Sequence, residues 1–78
     1  MKMLNIGYDN YINKNRIIAI VNSKSNSAKR LIENARNNKE IVEATEGRRT
    51  LTVIVTDTGQ VLTSAIESKT LSKRFMED

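Results

Sequence analysis

The sequence predicts an α+β domain: a small antiparallel sheet of about five strands with two helices, in the order ββαβββα. Three observations carry that expectation. Short β-branched apolar runs alternate with asparagine, aspartate and glycine turns, only two stretches repeat apolar residues at helical spacing, and the links are short with no parallel-crossover signature.

Residues 3–8 (MLNIGY) alternate weakly and meet Asp9-Asn10, which predicts a short strand running into a turn. Residues 16–21 (RIIAIV) form a β-branched run bounded by asparagines, a strand buried on both faces that pairs most simply with the first. The polar stretch 22–27 (NSKSNS) supplies side chains able to accept from free N–H groups at a helix start. A helix follows. Ala28, Leu31, Ile32 and Ala35 make one apolar stripe, Lys29, Arg30, Glu33 and Arg36 face outward, and Asn37-Asn38 offers a left-handed stop. Residues 41–44 (IVEA) suit a short strand, and Thr45-Glu46-Gly47 a turn. Residues 51–56 (LTVIVT) make a strong strand whose two-residue period puts Arg49 on the face of Leu51, Val53 and Val55, with Arg48 opposite. Residues 57–60 (DTGQ) connect it as a hairpin to a strand over 61–66. A last helix, capped near Ser68 or Thr70, turns Leu71, Phe75 and Met76 toward the core.

At 78 residues the chain makes one domain, 1–78, because a second core would leave each half too little apolar surface to bury. A domain of this size hides only about 60% of the surface its unfolded chain exposes, so self-association is the expected source of added burial. The sequence contains neither cysteine nor histidine, which removes disulfides, thiolate and imidazole metal ligands, and the usual nucleophile–base pairs. No apolar stretch has the length of a signal peptide or a membrane span, and a cytoplasmic location is expected. The formal charge of +4 favours polyanions. Residues 1–40 hold eight basic and three acidic groups, whereas residues 41–78 hold five and six, so the surplus lies in the first half.

Asp57-Thr58-Gly59 spells the active-site triplet of retroviral-type aspartic proteases, in which two carboxylates share a proton. Between two antiparallel strands the same residues are ordinary turn formers, and that is the favoured reading. Gly7 and Gly47 are isolated, so no phosphate-cradling loop is present, and the carboxylates show no metal-ligand spacing. No enzyme, cofactor or metal is expected. Lys29, Arg30 and Arg36 are either an ordinary solvated helix face or a phosphate track near a helix N-terminus. Arg48-Arg49 follow a glycine turn at the sheet's rim, where two guanidinium forks fan out together; a solvated hairpin mouth and a binding tip both fit. Arg16, ahead of an apolar strand, poses the same choice.

Several of these stretches together carry a resemblance. Asn5-Ile6-Gly7-Tyr8, NRIIAIV over 15–21, Lys29-Arg30, and Ala44-Thr45 with Gly47-Arg48-Arg49-Thr50 resemble, at consistent spacing over nearly the whole chain, the RemA family of bacterial extracellular-matrix regulators. The resemblance implies a non-enzymatic, nucleoid-associated DNA-binding protein that activates matrix or biofilm genes and assembles into an octamer-like ring. It implies DNA contact by Arg16, Arg48 and Arg49, with Lys29 and Arg30 as additional candidates. Family members often carry a proline where this chain has Ser27, so a different helix entry is expected. Two other readings of the same arginines are an RNA-binding module, which would read a shallow minor groove and 2′-hydroxyls, and a structural or protein-interaction ring with acidic partners.

Overall fold

In the computed structural model, which describes residues 2–77, the chain forms six strands and two helices. They are β1 (Met3–Gly7), β2 (Asn10–Asn13), β3 (Ile17–Asn22), α1 (Asn26–Asn37), β4 (Ile41–Glu43), β5 (Thr52–Thr56), β6 (Val61–Ser64) and α2 (Ser68–Met76), with a 3-10 turn at Lys14–Arg16. The α+β class and both helices follow the sequence; the single antiparallel sheet does not. There are two sheets, the β1–β2 hairpin and a four-stranded sheet in the order β3-β5-β6-β4.

The first strand does not pair with the RIIAIV run. It pairs with β2, a strand absent from the sequence reading because NYIN offers one β-branched apolar residue among asparagines. Its partner is chosen by proximity: Tyr8 and Asp9 take φ of 53° and 63°, the two left-handed positions of a type I′ turn whose twist matches flanking strands. The Asn10 amide donates to the carbonyls of Gly7 and Tyr8 at 2.9 and 3.2 Å and holds that turn closed. Gly7 itself has φ of 105°, and a Cβ there would lie 3.3 Å from Ile66 Cδ1.

β3 pairs instead with β5, antiparallel, and β5 with β6, antiparallel. β4 runs parallel to β6, which corrects the all-antiparallel expectation. β3 and β4 therefore point the same way at opposite edges, with the β5–β6 hairpin inserted between them, a split βαβ arrangement. No crossover signature was visible because α1 joins strands that are not neighbours.

The sheet is covered on both faces, by α1 on one and by the β1–β2 hairpin with α2 on the other. Val53 and Val61, with Val21 and Ile41, pack against Ala28, Leu31, Ile32 and Ala35, the stripe expected of α1. Ile54, with Ile20 and Leu62, packs on the other face against Leu4 and Ile6 of the hairpin and Leu71 of α2. Neighbouring residues of one strand thus serve opposite layers, as the two-residue period requires. Each large side chain fully buried here contributes about 1.5–3 kcal/mol relative to exposure. Polar groups stitch the layers together: Ser64 Oγ donates to Ile6 O at 2.8 Å and accepts from Ile66 N at 3.1 Å, and Thr52 Oγ1 donates to Ile66 O at 2.6 Å.

The helix ends differ in detail from expectation. Ser25 caps α1 by accepting from Ala28 N at 3.1 Å, so Ser27 lies inside the first turn. At the other end the left-handed residue is Lys39, φ 57°, and not Asn37 or Asn38. Asn38 still bonds back to Asn34, which extends the helix, and Glu40 N then reaches Ala35 O at 2.8 Å in a Schellman closure. In α2 the cap position falls on Glu67, with no side-chain cap bond. Only Leu71 of its three expected core residues is buried; Phe75 and Met76 are exposed. The helix end is held from outside the core: Lys14 Nζ donates to the carbonyls of Arg74, Phe75 and Glu77 at 3.0, 3.0 and 2.6 Å and sits 5.8 Å over the Phe75 ring.

Candidate nucleic-acid interface

Arg48 and Arg49 lie in the loop between β4 and β5. The chain reverses there because Arg48 N donates to Thr45 O at 2.9 Å across Glu46 (φ 51°) and Gly47 (φ 76°), both left-handed as in a type I′ turn. It rejoins the sheet at Leu51, whose N–H donates to Ser64 O at 2.9 Å and whose carbonyl accepts from Ser23 N at 3.0 Å. The rim location agrees with the sequence; the alternation does not. β5 begins at Thr52, so the strand period stops short of Arg48 and Arg49, and the turn, not the pleat, aims them. Both are exposed, and neither has an ion-pair partner among the described residues.

Arg16 ends the 3-10 turn that leads into β3. Its guanidinium meets Asp57 at 3.4 Å, with side chains 60% and 44% exposed, while Asp57 N donates to Arg16 O at 2.9 Å. The Asp57-Thr58-Gly59 triplet is thus part of the β5–β6 hairpin connection, closed by Thr56 N to Gln60 O at 3.1 Å and by Gly59 at φ 89°. Because β3 runs antiparallel to β5, pairing Ile17 with Thr56 and Asn22 with Thr52, Arg16 stands at the end of β5 and Arg48-Arg49 before its start. One chain therefore carries two separate basic stations, one at each end of the central sheet.

Lys29 and Arg30 are exposed early in α1, as expected of its outer face. Arg36, in the last turn, pairs with Glu43 of β4 at 3.3 Å, the side chains 61% and 58% exposed. The structure also brings Arg36 beside Arg48, a grouping that spacing did not suggest: the two line one polar concavity with Thr45, Thr50, Glu43 and Glu46. Exposed ion pairs such as Arg16–Asp57 and Arg36–Glu43 are worth about 0–1 kcal/mol, so either guanidinium exchanges partners readily. Among the described residues no group of three His, Cys, Asp or Glu side chains forms a metal site, and no helix is long and apolar enough to cross a membrane.

Split βαβ topology, a hairpin covering one sheet face and arginine-bearing loops at both sheet ends define a small α+β protein with a basic rim. The chain belongs to the RemA-like family, described as extracellular matrix regulatory protein A-like, whose model it matches over residues 3–75. Proteins of Acaryochloris marina, Brevibacillus brevis and Nitratidesulfovibrio vulgaris, each named "Putative regulatory protein", are 46%, 46% and 39% identical to it. The matches cover 100%, 96% and 99% of this chain and 89%, 87% and 88% of those proteins. Regulation is the role those names carry.

Proposed function

We propose that this chain is a transcriptional regulator, an activator of matrix genes in its family's manner, that grips the backbone of double-stranded DNA through Arg48, Arg49 and Arg16 repeated around a homo-oligomer. The observation that carries the reading is the Arg48-Arg49 loop: two adjacent arginines, exposed, without ion-pair partners among the described residues, on a turn closed by its own backbone hydrogen bond. Guanidinium forks match phosphate oxygens in bidentate geometry, and unpaired ones lose no intramolecular contact on binding. Lys29 and Arg30, exposed early in α1, are additional candidates for phosphate contact.

Repetition has two supports. The basic stations lie at opposite ends of one sheet, so a continuous track for a duplex needs neighbouring copies. The edge strand β3 and the end of α2 expose Ile18 and Met76 at 65% and 84%, beside Phe75, apolar surface of the kind that association covers. A single protomer with three phosphate-directed cations would bind weakly at cellular salt, and linked copies raise the effective concentration of each contact.

Duplex-DNA titration at several salt concentrations, with mass measured in solution, tests this. The wild-type protein binds as an oligomer, with log affinity falling by about 0.9 per log unit of salt for each phosphate contacted. Arg48→Ala/Arg49→Ala lowers both affinity and salt slope while keeping the oligomer. Wild-type affinity and slope in that variant would sink the reading, and tighter binding to duplex RNA than to DNA would move it to RNA.

A further inference from the structure

The geometry points to a phosphodiester subsite formed by Arg36 of α1 and Arg48 of the β4–β5 loop, which line one polar concavity, with Glu43 holding Arg36 until phosphate displaces it. This rests on the duplex-DNA reading above and names a further contact and its regulation. The two arginines are brought together by three features of the fold. α1 runs back along the sheet, its Schellman closure at Lys39 turns the chain directly into β4, and the I′ turn at residues 45–48 follows β4 closely, so that Arg48 lines the same concavity as Arg36.

Thr45 and Thr50 line the same concavity, and the backbone of Arg48 is fixed by its bond to Thr45 O. The lining brings two arginines and two threonines to one concavity, a set of donors that suits a tetrahedral oxyanion carrying a single charge. Access is open: a Cβ built at Gly47 would meet nothing within 4 Å, so that glycine serves the left-handed turn while its outer side faces solvent. Lys29 and Arg30, by contrast, are not among the residues lining this concavity.

Glu43 and Glu46 bring two negative charges to the same concavity, matching its two arginines. The Arg36–Glu43 pair is largely exposed, so its exchange for phosphate leaves no buried carboxylate behind. Glu43 is therefore a competitor: its carboxylate satisfies Arg36 in the free protein and repels an approaching phosphate. Arg48, which has no ion-pair partner among the described residues, makes first contact, and Arg36 follows by exchange.

Four variants in one duplex-DNA titration over a salt series test this: Arg36→Ala, Glu43→Gln, Arg48→Ala/Arg49→Ala, and Lys73→Ala as a charge-matched control on the exposed face of α2. Arg36→Ala should bind roughly five- to tenfold more weakly, with a salt slope lower by about 0.9 for each protomer in contact. Glu43→Gln should bind more tightly than wild type, a change that a merely structural role for the Arg36–Glu43 pair would not produce. Lys73→Ala should change affinity less than about twofold, as a remote, screened charge. If Arg36→Ala matches Lys73→Ala, or Glu43→Gln weakens binding, the subsite is overturned while the DNA reading stands. If the double arginine variant itself binds like wild type, the DNA reading falls first.

Discussion

Replacing Lys14 by methionine tests how the C-terminal helix is held. Lys14 Nζ donates to the carbonyls of Arg74, Phe75 and Glu77 at 3.0, 3.0 and 2.6 Å, the first of which also accepts from Glu77 N at 3.2 Å, so the end of α2 is tied to one cation from the turn after β2. Methionine keeps most of the apolar stem and removes the charge and all three bonds. The carbonyls are exposed enough for water to replace the ammonium, so the full strength of three charged hydrogen bonds is not lost. What remains is the favourable placement of a cation at a helix C-terminus, about 0.3–1 kcal/mol, and the net preference for preformed bonds over solvent. The sum is a loss of about 1–2 kcal/mol. For a domain of this length each kcal/mol shifts the thermal midpoint by roughly 4–8 °C. Thermal unfolding at fixed protomer concentration, with amide hydrogen exchange of the last turn of α2, provides the readout. Exchange at residues 74–77 should accelerate more than exchange in β5. A Lys14→Met protein with the wild-type midpoint and unchanged exchange would refute the clamp.

Three more outcomes follow from the geometry. Thr63 lies in β6 on the α1 side with its Oγ1 buried and without a hydrogen-bond partner among the described residues, so Thr63→Val should stabilise by about 1 kcal/mol in denaturant titration. Gly7→Ala places a Cβ 3.3 Å from Ile66 Cδ1 at φ 105°, and should destabilise by more than about 1 kcal/mol, measured by the shift of the denaturation midpoint. Asp57→Asn frees the Arg16 guanidinium from its 3.4 Å partner and should tighten duplex DNA binding with little change in stability, read by DNA titration and melting together.

Much of the local structure was legible in the residues themselves. The spacing of Ala28, Leu31, Ile32 and Ala35 identified the buried side of α1, and the runs RIIAIV and LTVIVT marked β3 and β5; only β5 lies buried between layers, whereas β3, expected to be buried on both faces, is an edge strand with Ile18 65% exposed. The arginine loop was legible as a rim because Gly47 precedes it, and GRRT together with NRIIAIV carried the family resemblance. These are properties of short segments: a helix stripe or a strand run is written at spacings of a few residues, where backbone period and side-chain polarity act directly.

Pairing and convergence were decided elsewhere. NYIN carries little strand signal and became β2 because a two-residue turn delivers it to β1, while β4 joined β6 in parallel because the β5–β6 hairpin fills the space beside β3. Phe75 lies four residues after Leu71 with Met76 next to it, yet both stay outside, since Leu71 already packs with Leu4 and Ile6 of the β1–β2 hairpin against the sheet. The partners of Lys14, Arg16 and Arg36 lie between seven and sixty-three residues away along the chain, and no local period encodes such meetings. Composition and pattern determined which segments are apolar and which residues are cationic. Only the closure of the sheet between its two covering layers decided which strand meets which, and hence that the arginines stand at two separate ends of one β5 strand.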